Sequence, residues 1–325
     1  MIARPLSSLT LVLLALGLCS CNTTSPPVGA VPTASTQAEW LSRTKDPRFY
    51  SMYVHQTPVG PSFDNANRLH DVQFADFKLL KFKKAAVTRI EFKDRRGNRV
   101  PALIDTTSRR SWVAMDTAAK MEMELLGKRE PHAATPEHVK DDYLGYAMAL
   151  STLRLDNIAI ENGILFARPQ YRTLGPMGRG LEKPIPEALI GVDILEKFTS
   201  ILIDYPRHQM RVATSSTYKP QTGRVVADLP MKQYRGGLVV EGHMGDYEGY
   251  FLIDTAGDYE VAMPFPKRGV EPELWLDNVR FEDVIVSDST KPGFGSHQIP
   301  SIGGRLLSQY RIVIDFARNR LLFEL

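Results

Sequence analysis

Asp105 and Asp254 stand in identical tetrapeptides, Leu103, Ile104, Asp105, Thr106 and Leu252, Ile253, Asp254, Thr255. Two carboxylates held in contact cannot both ionise without strong repulsion, so such a pair shares one proton and titrates as a unit. One member then acts as base and draws a proton from water, while the other acts as acid and polarises a carbonyl. That is hydrolysis by an activated water, a chemistry that needs neither metal nor cofactor. Taken alone, each aspartate also suits a simpler role, because an Asp at the end of a strand caps the next turn through local backbone hydrogen bonds. The choice depends on whether the two segments belong to equivalent units.

The flanking residues indicate that they do. Ala114 and Met115 follow the first tetrapeptide at nearly the offset at which Ala262 and Met263 follow the second. Leu155, Asp156, Asn157, Ile158 parallels Leu276, Asp277, Asn278, Val279. Ile185, Pro186 and Ile190, Gly191 parallel Ile299, Pro300 and Ile302, Gly303, and Ile201, Leu202, Ile203, Asp204, Tyr205 parallels Ile312, Val313, Ile314, Asp315, Phe316. Blocks recurring in one order mark a duplicated unit. The lobes run over residues 76–214 and 224–325, joined by the polar stretch 215–223.

The elements that must position the aspartates read as strands. Apolar runs 87–92 and 100–104 flank turn residues 94–98, and 238–241 and 250–253 flank Gly245 and Asp246, so each Asp-Thr pair ends the second arm of a hairpin. Helices are few and short: one with Asp116 as N-cap running to Leu126, and others after Gly191 and Gly303. Asp116, Thr117, Ala118 copies the Asp-Thr pair locally but lacks a preceding hairpin. The expected fold is all-β and two-lobed. Trp40, Tyr50, Tyr53 and Phe63 make the stretch before Asp76 too aromatic for a linker, and it is expected to pack onto a lobe.

With these residues in place, the chain resembles the pepsin-like and retropepsin-like aspartic proteases, in which each lobe contributes an apolar pair, then Asp, Thr or Ser, then Gly. The resemblance covers residues 76–325 and includes the later apolar-apolar-Gly element, Leu189, Ile190, Gly191 and Ser301, Ile302, Gly303. It implies two β-barrel lobes around a cleft, catalytic Asp105 and Asp254, and Thr106 and Thr255 as residues that hold the carboxylates at their separation. It also implies a flap over the cleft from the insertion 121–149, with Tyr143, Gly145 and Tyr146 as its tip, and an extended polypeptide as substrate. The sequence departs from the family where Gly is expected, having Thr107 after Thr106 and Ala256 after Thr255. If that position required a left-handed backbone, Thr107 would carry strain. Two function classes follow: an aspartic endopeptidase, and a protease-like protein that binds a peptide or protein partner without cleaving it.

The 325 residues carry 40 basic and 37 acidic side chains with no sustained run of one sign, which gives no footprint for nucleic acid. The histidines are scattered without metal-ligand spacing, so no metal site is expected. Gly295, Ser296, His297 lacks the elbow of a serine hydrolase. The basic, glycine-containing stretch 172–183 reads as a solvated linker that could border the cleft. Both cysteines, Cys19 and Cys21, end an apolar N-terminal stretch too short to span a bilayer, so disulfides and thiolate chemistry are excluded from the rest. Leu18, Cys19, Ser20, Cys21 resembles the lipobox of bacterial lipoproteins, which implies a signal peptide over 1–21 and lipidation of Cys21. Residues 22–75 would then be tether and N-terminal extension, leaving a monomer anchored by lipid in the cell envelope, on the outer-membrane side.

Overall fold

Side-chain alternation builds the two hairpins that carry the aspartates. Arg89–Lys93 pairs antiparallel with Arg99–Ile104, and Gly237–Met244 pairs antiparallel with Tyr247–Asp254. Ala102 and Ile104 face the main core, as do Phe251 and Ile253, while Leu103 and Leu252 are buried on the other side. Gly245, with φ 58, takes the first position of the two-residue turn, where a type II′ hairpin needs a left-handed residue. A computed structural model describes residues 44–57, 60–69, 74–80, 88–93, 97–126, 146–155, 158–168, 185–215, 218–220, 224–264, 269–288 and 299–325. The leader with Cys21, the stretch 172–183, His297, Trp40, and Tyr143 and Gly145 lie outside them.

Each aspartate-bearing strand receives a parallel neighbour from the later apolar-apolar-Gly element, Ala188–Ile190 in the first lobe and Ser301–Gly303 in the second. Each neighbour pairs antiparallel with a short strand, Trp112–Ala114 or Val261–Met263. That strand in turn runs parallel to the second arm of a long hairpin, Ile158–Arg168 or Val279–Asp288. The same parts recur in the same order, so the sequence repeat is a repeat of topology. The fold is two-lobed and all-β, with three short α-helices among the described residues.

Two helices, Val192–Leu195 and Gly304–Leu307, follow Gly191 and Gly303. The third differs from expectation: it spans Met115–Lys120, its N-cap is Ala114 rather than Asp116, and it stops well before Leu126. Strand Trp112–Ala114 feeds straight into it, so Ala114 is the last extended residue and Asp116 sits in the first turn, where a carboxylate suits the helix dipole. Glu122 then adopts φ 54, and Glu124–Leu125 is already a strand paired with Tyr146–Leu155.

The lobes are joined by their own repeats. Ser200–Asp204 pairs antiparallel with Arg311–Asp315, with Leu202 opposite Val313 at the midpoint. Asp204 and Asp315 each accept the amide three residues on, from Arg207 and Arg318, both at 2.9 Å. Gln209–Ala213 and Arg320–Glu324 flank the pair, and outside them lie Ala75–Lys78 and Val225–Tyr234. The described part of the N-terminal extension packs on the first lobe: Met52 is fully buried against Trp112, Phe166 and Leu189, with Tyr50 and Phe63 packed beside it. Tyr53 instead faces solvent.

Candidate active site

Asp105 and Asp254 meet where the two hairpins cross the lobe boundary, and the threonines after them make the junction. Thr255 Oγ1 donates to the Ile104 carbonyl at 2.6 Å, and Thr106 Oγ1 donates to the Ile253 carbonyl. The amides of Thr106 and Thr255 donate to each other's hydroxyls at 3.3 and 3.4 Å. The outer arms complete the pattern: Leu238 N donates to Thr106 O and Thr88 N to Thr255 O, each at 2.8 Å. Both threonines are fully buried. Thr88 also bonds the buried Tyr205 hydroxyl at 2.6 Å, beneath the site.

The backbone approaches this junction closely. A Cβ on Gly191 would collide with the Arg110 carbonyl, and one on Gly303 with the Tyr259 carbonyl. Both glycines are extended, with φ −97 and −98, so the need is for space rather than for an unusual conformation. This is the physical reason for glycine at the end of the apolar-apolar-Gly element.

The carboxylates are held differently. Asp105 Oδ1 accepts from Thr107 N at 2.8 Å, Thr107 Oγ1 at 2.6 Å and Ser108 N at 3.2 Å. Among the described residues, no donor reaches its Oδ2. Asp254 Oδ1 accepts from Ala256 N at 3.0 Å, and its Oδ2 accepts from the Tyr259 hydroxyl, which also shares a 2.8 Å hydrogen bond with Ser301 Oγ. Burial, and then the charge of Asp105, raise the Asp254 carboxyl to about 7, against the pull of the Tyr259 hydroxyl and the Ala256 and Gly257 amides. Burial and the adjacent Asp254 push the Tyr259 phenol well up, so it stays protonated.

Neither Thr107 nor Ala256 is among the residues with positive φ. The backbone after each Asp-Thr pair is therefore unstrained by the missing glycine, and the β-branched Thr107 turns its hydroxyl onto Asp105. Tyr146 is the first residue of its strand, pairs with Ala167 and packs half-buried against the core. Among the described residues, no group of three or more His, Cys, Asp or Glu is placed to hold a metal ion.

Sequence reasoning missed Thr107 as a partner of Asp105, and Tyr259, Ser301 and Gly257 around Asp254. The available signal was the glycine displaced by one place, Ala256 then Gly257, with a tyrosine two residues on. It also missed a charge exchange between the lobes. Behind the first site loop, half-buried Asp193 accepts from Ser111 Oγ at 2.6 Å, and desolvation raises its carboxyl to about 6. In the second lobe the helix contributes a cation instead: Arg305 reaches Asp258 Oδ1 at 3.0 Å and Oδ2 at 3.1 Å.

No family model matches the chain, and no curated protein matches it. Among solved structures, the chain is similar to basic 7S globulin from soybean, at 11% identity and TM-score 0.48, over 78% of this chain and 95% of that one. It is also similar to conglutin gamma, a basic 7S globulin from lupine seeds, at 10% identity and TM-score 0.46, again over 78% of this chain and 95% of that one.

Proposed function

We propose that this chain is an aspartic-type endopeptidase that hydrolyses extended polypeptides with the Asp105 and Asp254 pair, tethered to the cell envelope through a lipid on Cys21. The observation that carries the reading is the reciprocal Thr106 and Thr255 junction, which brings the two carboxylates together at a buried position, where burial and then the charge of Asp105 favour a proton on Asp254. Asp105, whose Oδ2 meets no donor among the described residues, is the base that takes a proton from the attacking water. Asp254, the more deeply buried, is the acid that polarises the scissile carbonyl. The resemblance of both Asp-Thr segments to the aspartic proteases supports the same assignment.

The test is cleavage of an unfolded protein mixture, from acid to neutral pH, by the chain lacking residues 1–21, beside Asp105→Asn and Asp254→Asn. The expected result is cleavage lost in both variants. Cleavage that survives both substitutions sinks the site assignment. Folded protein that cleaves nothing at any pH, yet binds a statine-type peptide in the cleft, replaces the reading by a peptide-binding one.

A further inference from the structure

Asp254 has a partner that Asp105 lacks, and the surrounding backbone is shaped to admit it. A Cβ on Gly257 would lie 2.5 Å from both Asp254 Oδ2 and Tyr259 Cε1. On the other side, a Cβ on Gly303 would lie 2.6 Å from Cδ2 of the same ring. The two glycines thus form a slot that admits the phenol and directs its hydroxyl at Asp254 Oδ2. Tyr259 is 3% exposed, Asp254 4% and Ser301 1%, so water does not compete within the chain of hydroxyls. In the first lobe the residue before Ser111, Arg110, lies 5.2 Å over the Phe166 ring instead.

A hydroxyl both donates and accepts, so the row Ser301, Tyr259, Asp254 has two complete arrangements. With Asp254 ionised, Ser301 donates to Tyr259 and Tyr259 donates to Oδ2. With Asp254 protonated on Oδ2 and no substrate present, that proton is donated to the Tyr259 oxygen, and Tyr259 donates to Ser301; when a scissile carbonyl arrives, the proton turns to it and Tyr259 turns back to donate to Oδ2. Only the hydroxyl protons swing; none is gained or lost by the tyrosine or the serine. A buried carboxylate in a proton-passing pair would otherwise lose a hydrogen bond in one of its two states.

We propose that Tyr259, seated between Gly257 and Gly303 and backed by Ser301, is the positioning residue that lets Asp254 take up and release the shared proton with its Oδ2 hydrogen-bonded throughout. This rests on the paired-aspartate reading above. Among the described residues, the titratable groups facing Asp254 are Asp105 and Tyr259, with Tyr205 farther off and hydrogen-bonded to Thr88.

The experiment pairs the pH dependence of cleavage with carbon NMR titration of the aspartate carboxyls in the intact protein, for Tyr259→Phe, which keeps the ring, and Ser301→Ala. Loss of the donor disfavours the ionised form, so the Asp254 midpoint and the upper limb of the pH profile both move to higher pH in Tyr259→Phe. The turnover number falls about tenfold with KM unchanged, and Ser301→Ala changes both in the same direction by less. A folded Tyr259→Phe protein whose Asp254 midpoint and pH profile match the parent's overturns the proposal. A displaced NMR midpoint in a protein that never cleaves upholds the positioning role and sinks only the hydrolase reading.

Discussion

Thr106 and Thr255 lie across the lobe boundary from each other, and each hydroxyl donates to the carbonyl just before the other lobe's aspartate, Ile253 for Thr106 and Ile104 for Thr255. The separation of the carboxylates is thereby fixed by backbone atoms of both lobes at once. Neither aspartate can shift without pulling on the other.

Thr255→Val keeps the shape and removes that hydroxyl, leaving the buried Ile104 carbonyl without its partner. The cost is about 1–3 kcal/mol of stability. Denaturant unfolding checks the loss, and cleavage falls more in this variant than in an equally destabilised core variant remote from the junction.

Thr107→Gly places glycine where the aspartic-protease pattern has it, yet it is expected to lower activity. The position has no need of a left-handed residue, and the substitution removes the 2.6 Å hydroxyl bond to Asp105. A fall of about fivefold in kcat/KM corresponds to roughly 1 kcal/mol. A rise in kcat/KM would contradict the role given to this hydroxyl.

Gly303→Ala forces a methyl group onto the Tyr259 carbonyl and ring. Overpacking at a site this tight costs about 1–3 kcal/mol. The thermal midpoint drops, and Gly191→Ala, facing the Arg110 carbonyl, drops it comparably.

Asp193 makes stability depend on pH. Its folded carboxyl is raised to about 6 by burial, so the contribution is complete below the ordinary aspartate value and is lost as pH rises through about 6. The difference across that window is about 3 kcal/mol. Asp193→Asn retains an acceptor for Ser111 and removes this part of the slope, which unfolding curves between about pH 4 and pH 6 read directly.

In the proposed hydrolase, the proton on Asp254 sets the upper pH limit of activity. Since the Asp254 carboxyl is raised to about 7, kcat/KM declines as pH rises beyond that value and the acid form is lost. A profile that climbs through neutrality into alkaline pH would exclude Asp254 as the acid.

The duplicated architecture was legible because its signals are local and repeated: the Leu-Ile-Asp-Thr hairpin ends, the glycines at 191 and 303, and the apolar strands Ser200–Asp204 and Arg311–Asp315. The helix after Ala114 was misjudged because its start is decided by the strand that feeds it, while Asp116 has the composition of a cap. The environment of Asp254 was hidden for another reason. Tyr259 reaches the carboxylate only because Gly257 and Gly303, distant from each other in sequence, both lack a side chain. The strain expected at Thr107 rested on a conformation that the chain does not adopt there.

The pairing of Ser200–Asp204 with Arg311–Asp315 around Leu202 and Val313 is the geometry of a symmetric homodimer drawn inside one polypeptide. Two separate identical subunits on a twofold axis must give both carboxylates the same neighbours, because any substitution appears twice. Tandem copies in a single chain are released from that constraint. Thr107 can serve Asp105 while Tyr259 serves Asp254, and the surroundings of the two carboxylates are free to diverge independently.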